Sequence, residues 1–161
     1  MLKAAITNNS QKSDNMQNNI SFIQCRNNIT QDLNSNTWTD VNITGIEDFN
    51  VGEGFVIEGN GGIRCLFDGY IEIYASVRGQ SDVQRAANEI RVTKNDIAFE
   101  PISSSGYIRS ASPHRISSSS IRIMSDCKTN DIIKIQSHKS SMEGVVDMII
   151  GTSVFIVKKI K

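Results

Sequence analysis

Proline is nearly missing from this 161-residue chain, which has two, and aromatic residues make up only 6%. So little proline excludes a collagen-like or proline-rich linker architecture. Three cysteines, Cys25, Cys65 and Cys127, are an odd number without metal-ligand spacing, so neither a zinc module nor a disulfide framework is expected. Each stands beside alternating apolar residues and reads as a buried free thiol; a Cys25–Cys65 bridge is the alternative. An excess of one charge sign is lacking too, with 17 Lys plus Arg against 17 Asp plus Glu. That excludes the basic footprint of a nucleic-acid-binding protein. No window approaches the roughly 20 apolar residues of a membrane span, so no membrane insertion is expected. The opening MLKAAITNNSQKS lacks the apolar run of about 7–15 residues of a secretion signal, which points to synthesis in a host or cell cytoplasm.

Catalytic motifs are also lacking. There is no Gly-x-Ser-x-Gly elbow, no His-Glu-x-x-His pair and no phosphate loop. GEG and GNGG within 52–62 precede a strand rather than a helix, so no positive helix end stands behind them. The two histidines, His114 and His138, sit in polar passages and read as exposed loop residues. No catalytic residue, metal site or cofactor is therefore expected.

What the chain does have is isoleucine, serine and asparagine. Isoleucine is stiff at its branched β-carbon and packs on pleated surfaces, whereas asparagine and serine favour turns. Residues 1–19 stand apart: an apolar plug of Leu2, Ala4, Ala5 and Ile6 precedes a polar, aperiodic spacer. They read as an extended arm or anchor, with a plain terminus as the alternative. From residue 20 short apolar-alternating stretches follow one another. NISFIQCRNNI and NTWTDVNI come first, then a loop-rich passage over 46–62 broken by Phe55–Ile57 and holding Glu47, Asp48 and Glu53. GIRCLF and a strand over 70–78 follow. A hairpin turns at Lys94-Asn95-Asp96 and ends at Pro101; SGYIRS is a short edge-like piece. HRISSSSIRIMSD, DIIKIQSHK, VVDMIIG and TSVFIVKKI close the chain, while SDVQRAANEI reads as a loop. This amounts to about ten short strands without a convincing helix, an antiparallel sandwich or barrel.

GGIRCLFDGYIEIYASVRG, residues 61–79, is the most informative stretch. Ile71, Ile73, Ala75 and Val77 alternate towards one face, as a single core requires. Tyr70 and Tyr74 occupy the other face, where a solvated strand has no need of them. The serine run 117–120, bracketed by Ile116, Ile121 and Ile123, reads as a strand kept small so that another surface can approach closely; a linker is the alternative. Trp38 could stack on a sugar, or simply pack at a sheet edge or subunit boundary.

Together these residues resemble the globular-head domain shared by complement and tumour necrosis factor proteins. The matching residues are Ile63-Arg64-Cys65, Asp68-Gly69, Tyr70, Ile73 and Ala75-Ser76. DFNVGEGF is similar to the loop that leads into that strand. ISSSSIRIMSDCKTNDIIKIQ is similar to the family's small-residue strand, with Asn130-Asp131 replacing Gly-Asp, and TSVFIVKKI resembles its last strand. The resemblance covers residues 20–161. It implies an all-β fold, a two-sheet antiparallel jelly-roll sandwich of about ten strands, homotrimeric, behind the extended arm of residues 1–19. It further implies that Tyr70, Tyr74, Ser118 and Ser120 lie at the trimer interface. The Ile/Asn/Lys/Ser bias, the expected reduced cysteines and the short chain without a stalk point to a bacteriophage virion protein. The expectation is a non-enzymatic capsid decoration or head-fibre protein, partnered by itself and by a major capsid or other virion protein, with Leu2, Ala4, Ala5 and Ile6 as capsid anchor. The alternative is a trimeric receptor-binding tip that holds host-surface glycan through Trp38 and Tyr107.

Overall fold

The computed structural model describes residues 20–83, 85–109, 115–140 and 146–160. The expected arm, with Leu2, Ala4, Ala5 and Ile6, and His114 lie outside the described residues. The strands are β1 (Phe22–Arg26), β2 (Thr39–Asp40), β3 (Ile46–Val51), β4 (Phe55–Ile57), β5 (Ile63–Cys65), β6 (Gly69–Gln80), β7 (Ala86–Lys94), β8 (Ile97–Ile108), β9 (Ile116–Cys127), β10 (Ile132–Lys139), β11 (Asp147–Met148) and β12 (Val154–Lys159). They form two antiparallel sheets. The β6 sheet runs β9-β6-β12-β1-β3, with β11 also on β6; the β10 sheet runs β4-β5-β10-β7-β8, with β2 on β10. The result is a jelly-roll sandwich.

Period-two alternation builds the core between the sheets. Ile71, Ile73, Ala75 and Val77 of β6 are fully buried, as their spacing predicts. Phe155 and Val157 of β12 and Ile23 and Cys25 of β1 join them. Ile90 and Val92 of β7 and Ile133 and Ile135 of β10 complete the core from the facing sheet. Each such isoleucine or valine contributes about 1.5–3 kcal/mol by leaving water. Between β1 and β3 the chain plugs the core with Leu33, Val41 and Ile43. The β7–β8 hairpin turns on Asn95 and Asp96, both at positive φ, a two-residue reversal that Asn and Asp tolerate. The Asn95 side chain then accepts from the Ile132 N–H (2.9 Å) and donates to Asp131 (2.7 Å), which ties the hairpin to β10.

Several readings of the sequence need correction. SDVQRAANEI is not all loop, because β7 begins at Ala86. The passage 46–62 is not all loop: Ile46–Val51 is an edge strand, and Glu47 and Asp48 lie within it. Its alternation is broken by a register shift against β1 at Gln24/Cys25, and an edge strand tolerates polar residues on both faces. Pro101 does not end its hairpin, because β8 continues to Ile108. β8 is the edge of its sheet, and its register skips between Arg91↔Ser103 and Thr93↔Ala98, so the proline falls where the ladder is already interrupted. NTWTDVNI supplies only the two-residue β2. His138 is no loop residue: it lies half-buried in β10.

Candidate functional site

The outward face of the β6 sheet carries the tyrosines that a solvated face would not need. Cross-strand register sets its rows. One row is Arg122, Tyr74, Ile156, Gln24 and Phe49; the next is Met124, Glu72, Lys158, Phe22 and Val51. Tyr70 is 58% exposed, Phe49 57% and Met124 72%, whereas Tyr74 is half-buried among its neighbours. Each of the five strands thus puts at least one apolar side chain on this face, set among Gln24, Lys158, the serines of β9 and two ion pairs. Arg122 meets Glu72, and Arg26 grips Asp48 in a two-pronged contact (2.7–2.9 Å). That guanidinium, with Gln24, holds the Asp48 carboxyl below the usual range. A shallow pocket of about 240 Å³ opens at the centre, lined by Glu72, Tyr74, Arg122, Ile156 and Lys158.

The predicted interface residues fall together here. Tyr70 and Tyr74 are on this face, and so are Ser118 and Ser120, opposite Arg78 and Ser76 in the ladder; the Ser120 hydroxyl donates to Ser76 (2.9 Å). The alternate serines, Ser117 and Ser119, turn the other way, towards Gly106 of β8, where the edges of the two sheets meet. Sequence reasoning missed Phe22, Phe49, Val51, Met124 and Ile156. The outward positions of FIQCR and SVFIVKK carry part of that signal, but the β3 residues were hidden by the loop reading.

The expected ligand contacts lie on the opposite side of the sandwich. Trp38 is half-buried: the Arg91 guanidinium sits 4.3 Å over its ring, and the His138 ring meets it edge-on at 4.1 Å. His138 Nε2 is 3.0 Å from Glu89, and Nδ1 is 2.8 Å from the Lys139 carbonyl. Tyr107 of β8 is 56% exposed, and β7 stands between it and β10. Trp38 packs on Arg91 of β7, and Tyr107 stands opposite Ala87 of the same strand.

The three cysteines are free and buried. Burial, with Glu47 and Asp48 nearby, pushes the Cys25 thiol up to about 12. Burial likewise raises Cys65 and Cys127. Such thiols are poor nucleophiles. Among the described residues no group of three or more His, Cys, Asp or Glu is arranged to hold a metal ion.

No protein-family model matches the chain, and no curated protein matches it in sequence. Solved structures do. The Eiger TNF of S. frugiperda superposes with a TM-score of 0.65 at 10% identity, over 88% of this chain and 93% of that one. Murine APRIL at pH 5.0 gives 0.62 at 12% identity, over 88% and 99%. At pH 8.0 it gives 0.61 at 13%, with the same coverage. At these identities the likeness is one of fold, and the chain folds as a tumour-necrosis-factor-like jelly roll.

Proposed function

We propose that this chain is a non-enzymatic structural virion protein. It forms a homotrimer through the outer face of the β6 sheet and decorates a bacteriophage shell, or forms a head fibre, attached through residues 1–19. The supporting observation is the apolar face itself, with Tyr70, Phe49 and Met124 more than half exposed beside Tyr74, Phe22 and Ile156. Soluble monomers avoid contiguous apolar surface of this kind. A fully exposed tyrosine would lose about 150–200 Å² to an interface, about 4–5 kcal/mol as an upper bound; Tyr70, 58% exposed, has a little over half of that to lose and the half-buried Tyr74 less. The virion assignment rests on the Ile/Asn/Ser/Lys composition and on the apolar plug Leu2–Ile6 ahead of a polar spacer. Three linked arms raise effective concentration, so a weak contact of each with a capsid protein holds the trimer.

Light scattering on the dilute protein tests the first half: the expected mass is about three times the 17.8 kDa chain, and a monomer overturns it. A 20–161 truncation tests the second: it remains a folded trimer but no longer sediments with capsids. Full binding by the truncation removes the arm from the reading. The alternative, a receptor-binding tip, draws on the solvent-facing Tyr107, next to Ser105 on the outer side of β8. A glycan array on the purified trimer separates the two readings.

A further inference from the structure

We propose that the pocket at the centre of the β6 face binds a small amphipathic carboxylate, an aromatic or short acyl acid. Its charge lies on Lys158 and Arg122, and its apolar body lies on Tyr74 and Ile156. Three adjacent strands build the site. Tyr74 of β6 stands opposite Arg122 of β9 on one side and Ile156 of β12 on the other. Glu72, the next outward residue of β6, stands opposite Lys158 of β12. These five side chains line a space of about 240 Å³. Pockets for drug-sized ligands start at about 300 Å³, so the space suits a compact acid.

The charges of the lining do not balance. Glu72 is its one carboxylate, against two cations. Glu72 accepts from the Nε and Nη2 of Arg122 through a single oxygen. The guanidinium keeps its Nη1 donors without a partner among the described residues, and the Arg122 side chain is 69% exposed. Lys158 is exposed, and its ammonium has no ion pair or hydrogen bond among the described residues. An anion between the two cations therefore finds donors that the fold does not use.

The rest of the lining selects among anions. Tyr74 and Ile156 are half-buried and form an apolar wall beside the two cations. An inorganic anion meets the cations but leaves that wall in water. A neutral ring covers the wall but leaves the cations without a counter-charge. An acid with a ring or a short chain does both, so apolar burial adds to the ion pair.

The pocket belongs to the single chain, so binding itself does not depend on the trimer. Its effect on assembly rests on the trimeric reading above. In the proposed seam Lys158 leaves water, which is costly for a charge without a partner. A carboxylate supplies the counter-charge and fills the depression, so ligand and assembly favour one another.

The test titrates the full-length chain with phenylacetate by calorimetry, with acetate, inorganic phosphate and benzyl alcohol as comparisons. Phenylacetate, with about ten heavy atoms on an open site, is expected to bind with a Kd of about 1 mM. The other three bind at least about fivefold more weakly, and salt weakens the phenylacetate contact. Lys158→Gln, an exposed position, lowers phenylacetate affinity about fivefold, whereas Lys128→Gln, an exposed cation outside the pocket, leaves it unchanged. Light scattering on the same samples shows the acid shifting a dilute chain towards the trimer. Equal binding of acetate and phenylacetate, binding of benzyl alcohol as tight as that of the acid, or an unchanged affinity in Lys158→Gln overturns the site. An acid that binds through Lys158 and drives the trimer apart overturns the counter-charge role. A chain that stays monomeric yet binds phenylacetate through Lys158 removes the trimer and leaves the site. A trimer without such binding removes the site and leaves the trimer.

Discussion

Gly106 of β8 packs directly against Ser119 of β9. A Cβ on Gly106 would stand 2.9 Å from the Ser119 Oγ, 3.1 Å from the Ser117 Oγ and 3.1 Å from the Ser118 backbone carbon. Small side chains on β9 let the edges of the two sheets meet, and Ser119 is buried with its hydroxyl 3.5 Å from the Asn88 carbonyl. Gly106→Ala should therefore destabilise the protein by about 1–3 kcal/mol through overpacking. Urea denaturation measures it, and an unchanged midpoint would show that the corner has room.

The outer face of the β6 sheet makes a second prediction. Tyr74 stands between Arg122 and Ile156 in the ladder and lines the central pocket. Tyr74→Glu places a carboxylate in the proposed seam and should yield monomers or aggregate. Light scattering reads the outcome, and a persisting trimer counts against this face as the interface.

Asp147 carries a prediction with the opposite sign from an ordinary ion-paired acid. Although Asp147 keeps an exposed edge, its partial desolvation, then the charges of Asp32 and Asp82, raise its carboxyl above the usual value of 3.8. A raised carboxyl binds its proton more readily in the folded chain, so its ionised form costs stability at neutral pH. The cost disappears as pH falls through the raised value towards 3.8. Asp147→Asn should raise Tm at pH 7, with the gain fading below about pH 4. Thermal scans at both pH values check this.

Thr93 is fully buried at the β7–β8 irregularity, and its hydroxyl has no hydrogen-bond partner among the described residues. Thr93→Val removes that unpaired group for a methyl of similar shape and should stabilise by about 1 kcal/mol. A fall in the urea midpoint would mean that the hydroxyl is satisfied in solution.

The reading of β6 shows why part of the fold was legible. Side chains alternate strictly in a strand, so Ile71, Ile73, Ala75 and Val77 had to share one face and Tyr70 and Tyr74 the other. β3 was not legible. IEDFNV has no clean alternation because the strand is an edge, shifted in register against β1, and Phe49 and Val51 came to the apolar face only through that pairing. Trp38 shows the same limit from the other side. Its local sequence named no neighbour, whereas Arg91 and His138, from two other strands, pack against it.

The serine run was half legible. Small residues did mark a close approach, but for Ser117 and Ser119 the approaching surface is the chain's own β8. The cysteines follow the same rule. Their burial could be read from their apolar neighbours, whereas the elements that bury them, β1, β5 and β9, are brought together by the sheet pairing.

Local sequence determined which residues alternate, where the hairpin turns on Asn95-Asp96 and which faces are apolar, because these depend on side-chain period and backbone preference over a few residues. Only the tertiary structure decided which edges meet, what packs against Trp38 and which β3 residues join the apolar side of the β6 sheet. Those relationships join residues far apart in the chain, and the register of long-range pairing, not any local preference, brings them together.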